Sequence, residues 1–291
     1  MSIEINHTVC LTFDFDAISL WLGPFKAQSP SMISRGEFGV IGARRVLDLL
    51  ERFNIHATWF VPGHTADTYP SVVEDIINHG HEIGHHGYCH ENPVALELHK
   101  ERKIIEMGLA SLERVTGKLP RGYRSPSWDL SPNSIELLLE YGFVYDSSLM
   151  GNDFSPYWCR LGDHFDMESA YKFGNPVELL EMPVTWGLDD FPAFEYVSLP
   201  TKLYPGLRSP DQVFDIWMGD FDYMRTKIQN GVFILTMHPQ VIGRGHRMLF
   251  LEKILTYMHN TGVRFMRMID FVEEWKGGHE KPRPNIHGSS V

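Results

Sequence analysis

His81-Glu-Ile-Gly-His-His-Gly-Tyr-Cys-His-Glu-Asn-Pro93 places four histidines and two glutamates within thirteen residues. Imidazole is the side chain most used for zinc-like ions, so a metal site is the first expectation. Two sites overlap in these letters, and the backbone decides between them. As a helix, His81-Glu-Ile-Gly-His85 is the H-E-x-x-H pattern of zinc proteases, with both histidines on one face and Glu82 as base. Gly80 and Gly84 oppose that helix by roughly 1 kcal/mol each, and Asn78-His79-Gly80 has the form of a preceding helix with glycine just past its end. As a short buried strand over 82–85 running into a loop stiffened by Pro93, the same stretch offers His86 and His90 instead. A catalytic zinc-type site wants at least three protein ligands, so a further ligand must come from elsewhere.

Val9-Cys-Leu-Thr-Phe13 is an apolar, β-rich run ending in Asp14-Phe-Asp16. A spacing of two in extended chain turns both carboxylates to one side. Buried together without a cation, they would raise one another's pKa, and a metal ion relieves that. The alternative is a pair of loop-capping aspartates.

Strand and helix patterns alternate along the rest of the chain. Residues 17–38, rich in Gly, Pro and Ser, are expected to form a lid or packing loop, from which Trp21 and Phe25 reach substrate. Helices are expected at 40–53, 69–78 and 94–116, with a strand at 57–61 between the first two. In Arg121-Gly-Tyr-Arg-Ser-Pro-Ser-Trp-Asp129, Arg124 is the candidate to grip a carboxylate, a surface ion pair being the other possibility. Ser131 is expected to cap the next helix. Aromatic residues crowd 147–178, as a pocket wall or a subunit interface. Strands follow at 177–183, 232–237 and 264–268, the second ending in His238-Pro239. About seven strand–helix units imply an α/β fold, a parallel sheet curled into a closed or nearly closed barrel. Asp14, Asp16, His86, His90, Arg124 and His238 then collect at the C-terminal strand ends, where such folds carry their chemistry. Residues 1–276 read as one catalytic domain and 277–291 as a flexible tail.

The formal charge of −11 excludes the basic face that non-specific nucleic-acid or anionic-membrane binding needs. No secretory signal or membrane span is encoded, and three unpatterned cysteines suit a reducing compartment, so a cytoplasmic location is expected.

Thr12-Phe-Asp-Phe-Asp16, His86-Gly-Tyr-Cys-His90, Arg124-Ser-Pro126, the Trp186 region and Leu235-Thr-Met-His238 together resemble the five motifs of the polysaccharide deacetylase family, also called the NodB-homology or carbohydrate esterase four group. The resemblance spans roughly residues 8–270. It implies a distorted, TIM-like (β/α)7 barrel with one divalent metal, commonly Zn2+, held by Asp16, His86 and His90. It further implies Asp14 as general base oriented by Arg124, His238 as general acid, and a backbone N–H after Pro126 as oxyanion donor. Trp128, Trp186 and Trp21 are the expected substrate contacts, and Asp189 the expected acidic partner of His238. Phe15 between the aspartates and Ser127 after Pro126 depart from the usual motifs. The D-x-D form resembles an intracellular branch containing peptidoglycan deacetylase-like, allantoinase-like and cyclic imide hydrolase proteins, in which homotetramers are common. The expected activity is metal-dependent hydrolysis of a non-peptide amide C–N bond. N-deacetylation of an amino-sugar glycan and ring opening of a small imide or ureide are the two substrate readings. A non-catalytic sugar- or metal-binding module would be expected to lack Asp14 or His238, and both are present.

Overall fold

A computed structural model describes residues 7–198 and 203–283. Residues 284–291 of the expected tail lie outside these residues; its described part begins inside a helix that runs to Gly278. The strands are β1 (Thr8–Asp14), β2 (Thr58–Val61), β3 (Glu82–His85), β4 (Gly122–Tyr123), β5 (Tyr145–Asp146), β6 (Tyr157–Leu161), β7 (Asn175–Glu181), β8 (Tyr196–Ser198), β9 (Leu203–Pro205), β10 (Val232–Met237) and β11 (Arg264–Phe265). The helices are α1 (Ser19–Leu22), α2 (Pro30–Arg52), α3 (Gly63–Thr68), α4 (Pro70–Asn78), α5 (Leu98–Thr116), α6 (Ser134–Glu140), α7 (Asp190–Phe194), α8 (Pro210–Lys227), α9 (Pro239–Ile242), α10 (Gly245–His259) and α11 (Met268–Gly278).

The main sheet runs β10-β1-β2-β3-β4-β5-β7-β6, with β11 beside β1. Strands β10, β1, β2, β3, β4, β5 and β7 are mutually parallel, seven in all, and β6 is antiparallel on the edge. This is the expected distorted (β/α)7 barrel. Its distortion lies between β7 and β10. Among the described residues that gap is crossed by the Val232 N–H on the Phe154 carbonyl at 2.9 Å and by the bridge between Asp189 and Thr236.

Alternation along the strands divides the core. Val9, Leu11 and Phe13 of β1 join the layer between sheet and helices, while Cys10 joins Phe60, Tyr145, Leu180, Val232 and Ile234 inside the barrel. Asp14 is in phase with Cys10 and Thr12, so period two turns its carboxylate into the barrel mouth.

Residues 17–38 do not form the expected long loop, because α2 begins at Pro30 rather than near Val40. Proline suits the first helical position, and Gly36, which looked like a loop residue, serves close packing instead, as does Gly42 within the expected helix. A Cβ at Gly36 would lie 2.5 Å from the Ala17 carbonyl oxygen, and one at Gly42 would lie 1.9 Å from that of Pro239. Glycine at these positions lets α2 lie directly on the segments that follow β1 and β10. Ser131 likewise precedes the helix it was expected to cap: α6 starts at Ser134, and the Ser131 hydroxyl accepts the Asn133 N–H at 3.0 Å. The 264–268 strand is shorter than expected, since α11 starts at Met268.

Candidate metal and proton-transfer site

The stretch 82–85 is a strand, which removes the protease pattern. His81 Nδ1 accepts the Ala57 N–H at 3.0 Å at the far end of β3. His85 is buried against α5, its Nε2–H donating to the Ile105 carbonyl at 3.1 Å and its Nδ1 accepting the Gly87 N–H at 3.2 Å. His85 thus has both nitrogens on backbone, and His81 has Nδ1 on backbone with Nε2 buried and without a hydrogen-bond partner. Past the strand end the chain turns through Gly87, at φ 70°, and His90, at φ 59°, which brings His86 and His90 edge to face with ring centroids 5.0 Å apart.

His86 Nδ1 lies 2.7 Å from the Arg124 carbonyl oxygen. A carbonyl only accepts, so Nδ1 carries the proton and the Nε2 lone pair faces Asp16. His86 Nε2 is 3.5 Å from Asp16 Oδ1, and His90 Nε2 is 3.7 Å from Asp16 Oδ2. Asp16 is fully buried, and neither of its oxygens has a hydrogen-bond partner. Burial pushes its carboxyl up to about 8, with Asp14 and Asp189 adding to the rise and His238 opposing it. Burial holds both imidazoles neutral, His86 near 4 and His90 well below its ordinary value. An orphaned buried carboxylate facing two neutral nitrogens is a donor set that a divalent cation satisfies. Among the described residues, Asp16, His86 and His90 form one of two groups able to hold a metal ion, the other being Asp189, Asp190 and His238.

Asp14 is placed differently. Arg124, wholly buried beneath the site, donates from Nη1 to Asp14 Oδ1 at 2.8 Å and to the Thr12 hydroxyl at 2.9 Å. Its guanidinium carbon sits 4.2 Å from the centre of the Phe60 ring. Burial alone would raise the Asp14 carboxyl, but Arg124, with His86 and His238, holds it below the ordinary carboxylate range. The two aspartates of one motif therefore have opposite electrostatic surroundings. Asp14 Oδ2 stands 3.9 Å from His86 Nε2.

His238 follows β10, and its Nε2 is 3.7 Å from Asp16 Oδ2. Its acidic partner is Asp190 rather than the expected Asp189. Nδ1–H donates to Asp190 Oδ1 at 2.7 Å, and the His238 backbone N–H reaches both oxygens of the same carboxylate at 3.0 and 3.1 Å. Asp189 Oδ1 lies 3.5 Å from the ring and instead caps α7 through the Phe191 N–H at 2.8 Å. Burial alone would lower the His238 imidazole, but Asp189 and Asp190 raise it well above its ordinary value. The Asp189-Asp190 pair was visible in the sequence; the register in which α7 begins was not.

Ser127 and Trp128 both have positive φ, 59° and 52°, in the tight turn after Pro126. Trp128 is buried and stacks on Trp186, centroids 4.4 Å apart, while Trp186 is 47% exposed. Trp21 is buried beneath Phe25, with Arg35 over its ring. Of the three tryptophans only Trp186 offers an open face. In the 147–178 region β6 and β7 pair, and the hairpin between them leaves Phe165, Met167, Tyr171 and Phe173 exposed. A cavity of about 660 Å³ lined by Met150, Asp153, Thr185, Asp220 and Tyr223 contains none of the clustered Asp and His side chains. Its walls lack the orphaned donor set that marks the strand-end site.

The polysaccharide deacetylase family model matches residues 6–145. A peptidoglycan deacetylase of Helicobacter pylori is 36% identical over 275 residues, covering 90% of this chain and 94% of that protein. The chain belongs to the polysaccharide deacetylase family. The crystal structure of a Mycobacterium smegmatis protein, described as a polysaccharide deacetylase, superposes with a TM-score of 0.85 at 32% identity, over 100% of this chain and 97% of that one. A structure of Puue allantoinase shares the fold, with a TM-score of 0.76 at 22% identity over 96% and 93% of the two chains. Membership in the polysaccharide deacetylase family makes the chain a hydrolase of C–N bonds, and none of its described helices is long and apolar enough to cross a membrane.

Proposed function

We propose that this deacetylase hydrolyses the N-acetyl group of an amino sugar in a glycan, using one divalent ion, Zn2+ by the chemistry of its donors, held by Asp16, His86 and His90. The observation that carries this reading is the contrast between Asp16, buried without a hydrogen bond beside the neutral imidazoles of His86 and His90, and Asp14, ionised and gripped by Arg124. When bound, the ion supplies positive charge that polarises the scissile carbonyl and acidifies the attacking water. Asp14 takes a proton from that water as the new C–O bond forms. Arg124 keeps Asp14 ionised and fixes its free oxygen toward the site. The Ser127 N–H is the candidate donor to the developing oxyanion. His238, held protonated by Asp190 and Asp189, delivers a proton to the leaving nitrogen as the C–N bond breaks, releasing acetate and a free amine. Trp186 is the candidate platform for a sugar ring.

The test is acetate release from N-acetylated chito-oligomers by purified protein, stripped with chelator and reloaded with Zn2+. Activity that depends on reloading supports the reading. Opening of succinimide-type rings without acetate release moves the substrate to the cyclic-imide class. Turnover of neither by metal-loaded protein ends both.

A further inference from the structure

Asp146 and Glu181 sit opposite one another at the C-terminal ends of β5 and β7, and both are completely buried. Neither belongs to the ligand set or to the proton-transfer groups. Both instead grip the turn after β5. Glu181 Oε1 accepts the N–H groups of Ser148 and Leu149, each at 3.0 Å, and Asp146 Oδ1 accepts the Ser148 hydroxyl at 2.8 Å. The turn passes this restraint to the site by two routes. Ser147 accepts Arg124 twice, Nε on its carbonyl at 3.2 Å and Nη2 on its hydroxyl at 2.9 Å, which leaves Nη1 aimed at Asp14. The Ser148 hydroxyl accepts the Ser125 N–H at 2.8 Å, at the start of the turn that carries Ser127.

Two neighbouring buried carboxyls cannot both ionise cheaply, so the pair retains a proton. Burial pushes Asp146 up to about 6, and burial together with the Asp146 charge pushes Glu181 well above its ordinary value. Without that proton, two anions would press apart the strand ends they are meant to fix.

We propose that Asp146 and Glu181 are positioning residues for the hydrolytic reaction, setting Arg124 and hence Asp14 through Ser147, and the oxyanion turn through Ser148. The proposal rests on Asp14 acting as the base. It makes a chemical demand: glutamine at 181 keeps the acceptor for both N–H groups and supplies an N–H toward Asp146, as the protonated acid does, whereas alanine supplies neither.

The experiment measures kcat, KM and bound metal for Glu181→Ala and Glu181→Gln, alone and combined with Asp14→Asn. Expected for Glu181→Ala is a fall in kcat of about tenfold or more, since small misplacements of reacting groups are costly, with KM and metal content unchanged. Glu181→Gln restores most of the rate, and Glu181→Ala costs less in the Asp14→Asn background than in the wild type, because the route through Ser147 acts on Asp14 while the route through Ser148 does not. An unchanged kcat per folded molecule with only a lower Tm overturns the proposal, as does an equal further loss in the Asp14→Asn background. Full activity of Asp14→Asn alone would instead overturn the base assignment. If Glu181→Ala does not fold, Ser148→Ala, which deletes only the hydroxyl link, must lower kcat in the same way. Independently of turnover, difference infrared spectra at neutral pH must show a protonated carboxyl band that Glu181→Gln abolishes; its absence overturns the shared proton and the proposal with it.

Discussion

At the scale of single residues, neighbouring identical side chains have different tasks because their backbones aim them differently. His85 and His86 are adjacent, yet His85 spends both nitrogens on backbone while His86 spends one and presents the other. Asp16→Ala, His86→Ala and His90→Ala are therefore expected to lose bound metal on elemental analysis, and His81→Ala and His85→Ala to retain it. Metal retained by the first three variants would remove the site. The acidic pair beside His238 divides in the same way. Asp190→Asn is expected to lower kcat by about 10²-fold, within the range of general acid–base effects, and Asp189→Asn by much less, since Asp190 alone bonds the imidazole at 2.7 Å. Equal losses in steady-state assays would count against this division. In the sequence the two aspartates were indistinguishable, because one residue of register in α7 decides which meets His238.

At the scale of elements, the packing of α2 against α9 ties stability to the site. Gly42 touches the Pro239 carbonyl, one residue after His238. Gly42→Ala is expected to destabilise the protein by about 1–3 kcal/mol, as overpacking does, and to lower kcat by displacing His238. Gly219 is the contrasting case, an exposed glycine within α8 with open space at its Cβ position. Gly219→Ala is expected to stabilise by about 0.5–1 kcal/mol without affecting turnover. Denaturant unfolding of both variants checks the pair; stabilisation by Gly42→Ala would refute the close-packing account. Gly36 misled the sequence reading, which began the helix after it, because glycine weakens a helix on its own and strengthens one only where another backbone approaches, which is a tertiary fact.

At the scale of the whole molecule, stability carries the mark of histidines buried in neutral form. Burial, with His56 and His79 nearby, lowers His81 from 6.5 to about 3. Between those values the unfolded chain binds a proton that the folded chain does not, so the contribution of His81 to stability falls as pH drops below about 6.5. Protonating Nδ1 would also cost the bond from the Ala57 N–H. Urea midpoints measured from pH 8 to pH 5 are expected to fall more steeply for the wild type than for His81→Asn, and parallel curves would exclude His81 as a source of the acid sensitivity. Fold class and the places of the longer parallel strands were legible in the sequence because buried parallel strands write themselves as short apolar runs between amphipathic helices. The site was legible where it lies at the ends of those runs: Asp14, Asp16, His86, His90, Arg124 and His238 converge at one end of the sheet as expected. Asp146 and Glu181 also end strands, but no strand was expected at 145–146 and the expected 177–183 strand ran past Glu181. By itself the sequence determined that apolar strands end just before or at Asp14, His86 and His238, because apolar patterning and glycine placement are local properties. Only the tertiary structure decided which of two aspartates is orphaned, which histidine keeps a free nitrogen and which acid meets His238, because burial, tautomer and pKa depend on neighbours brought in from distant parts of the chain.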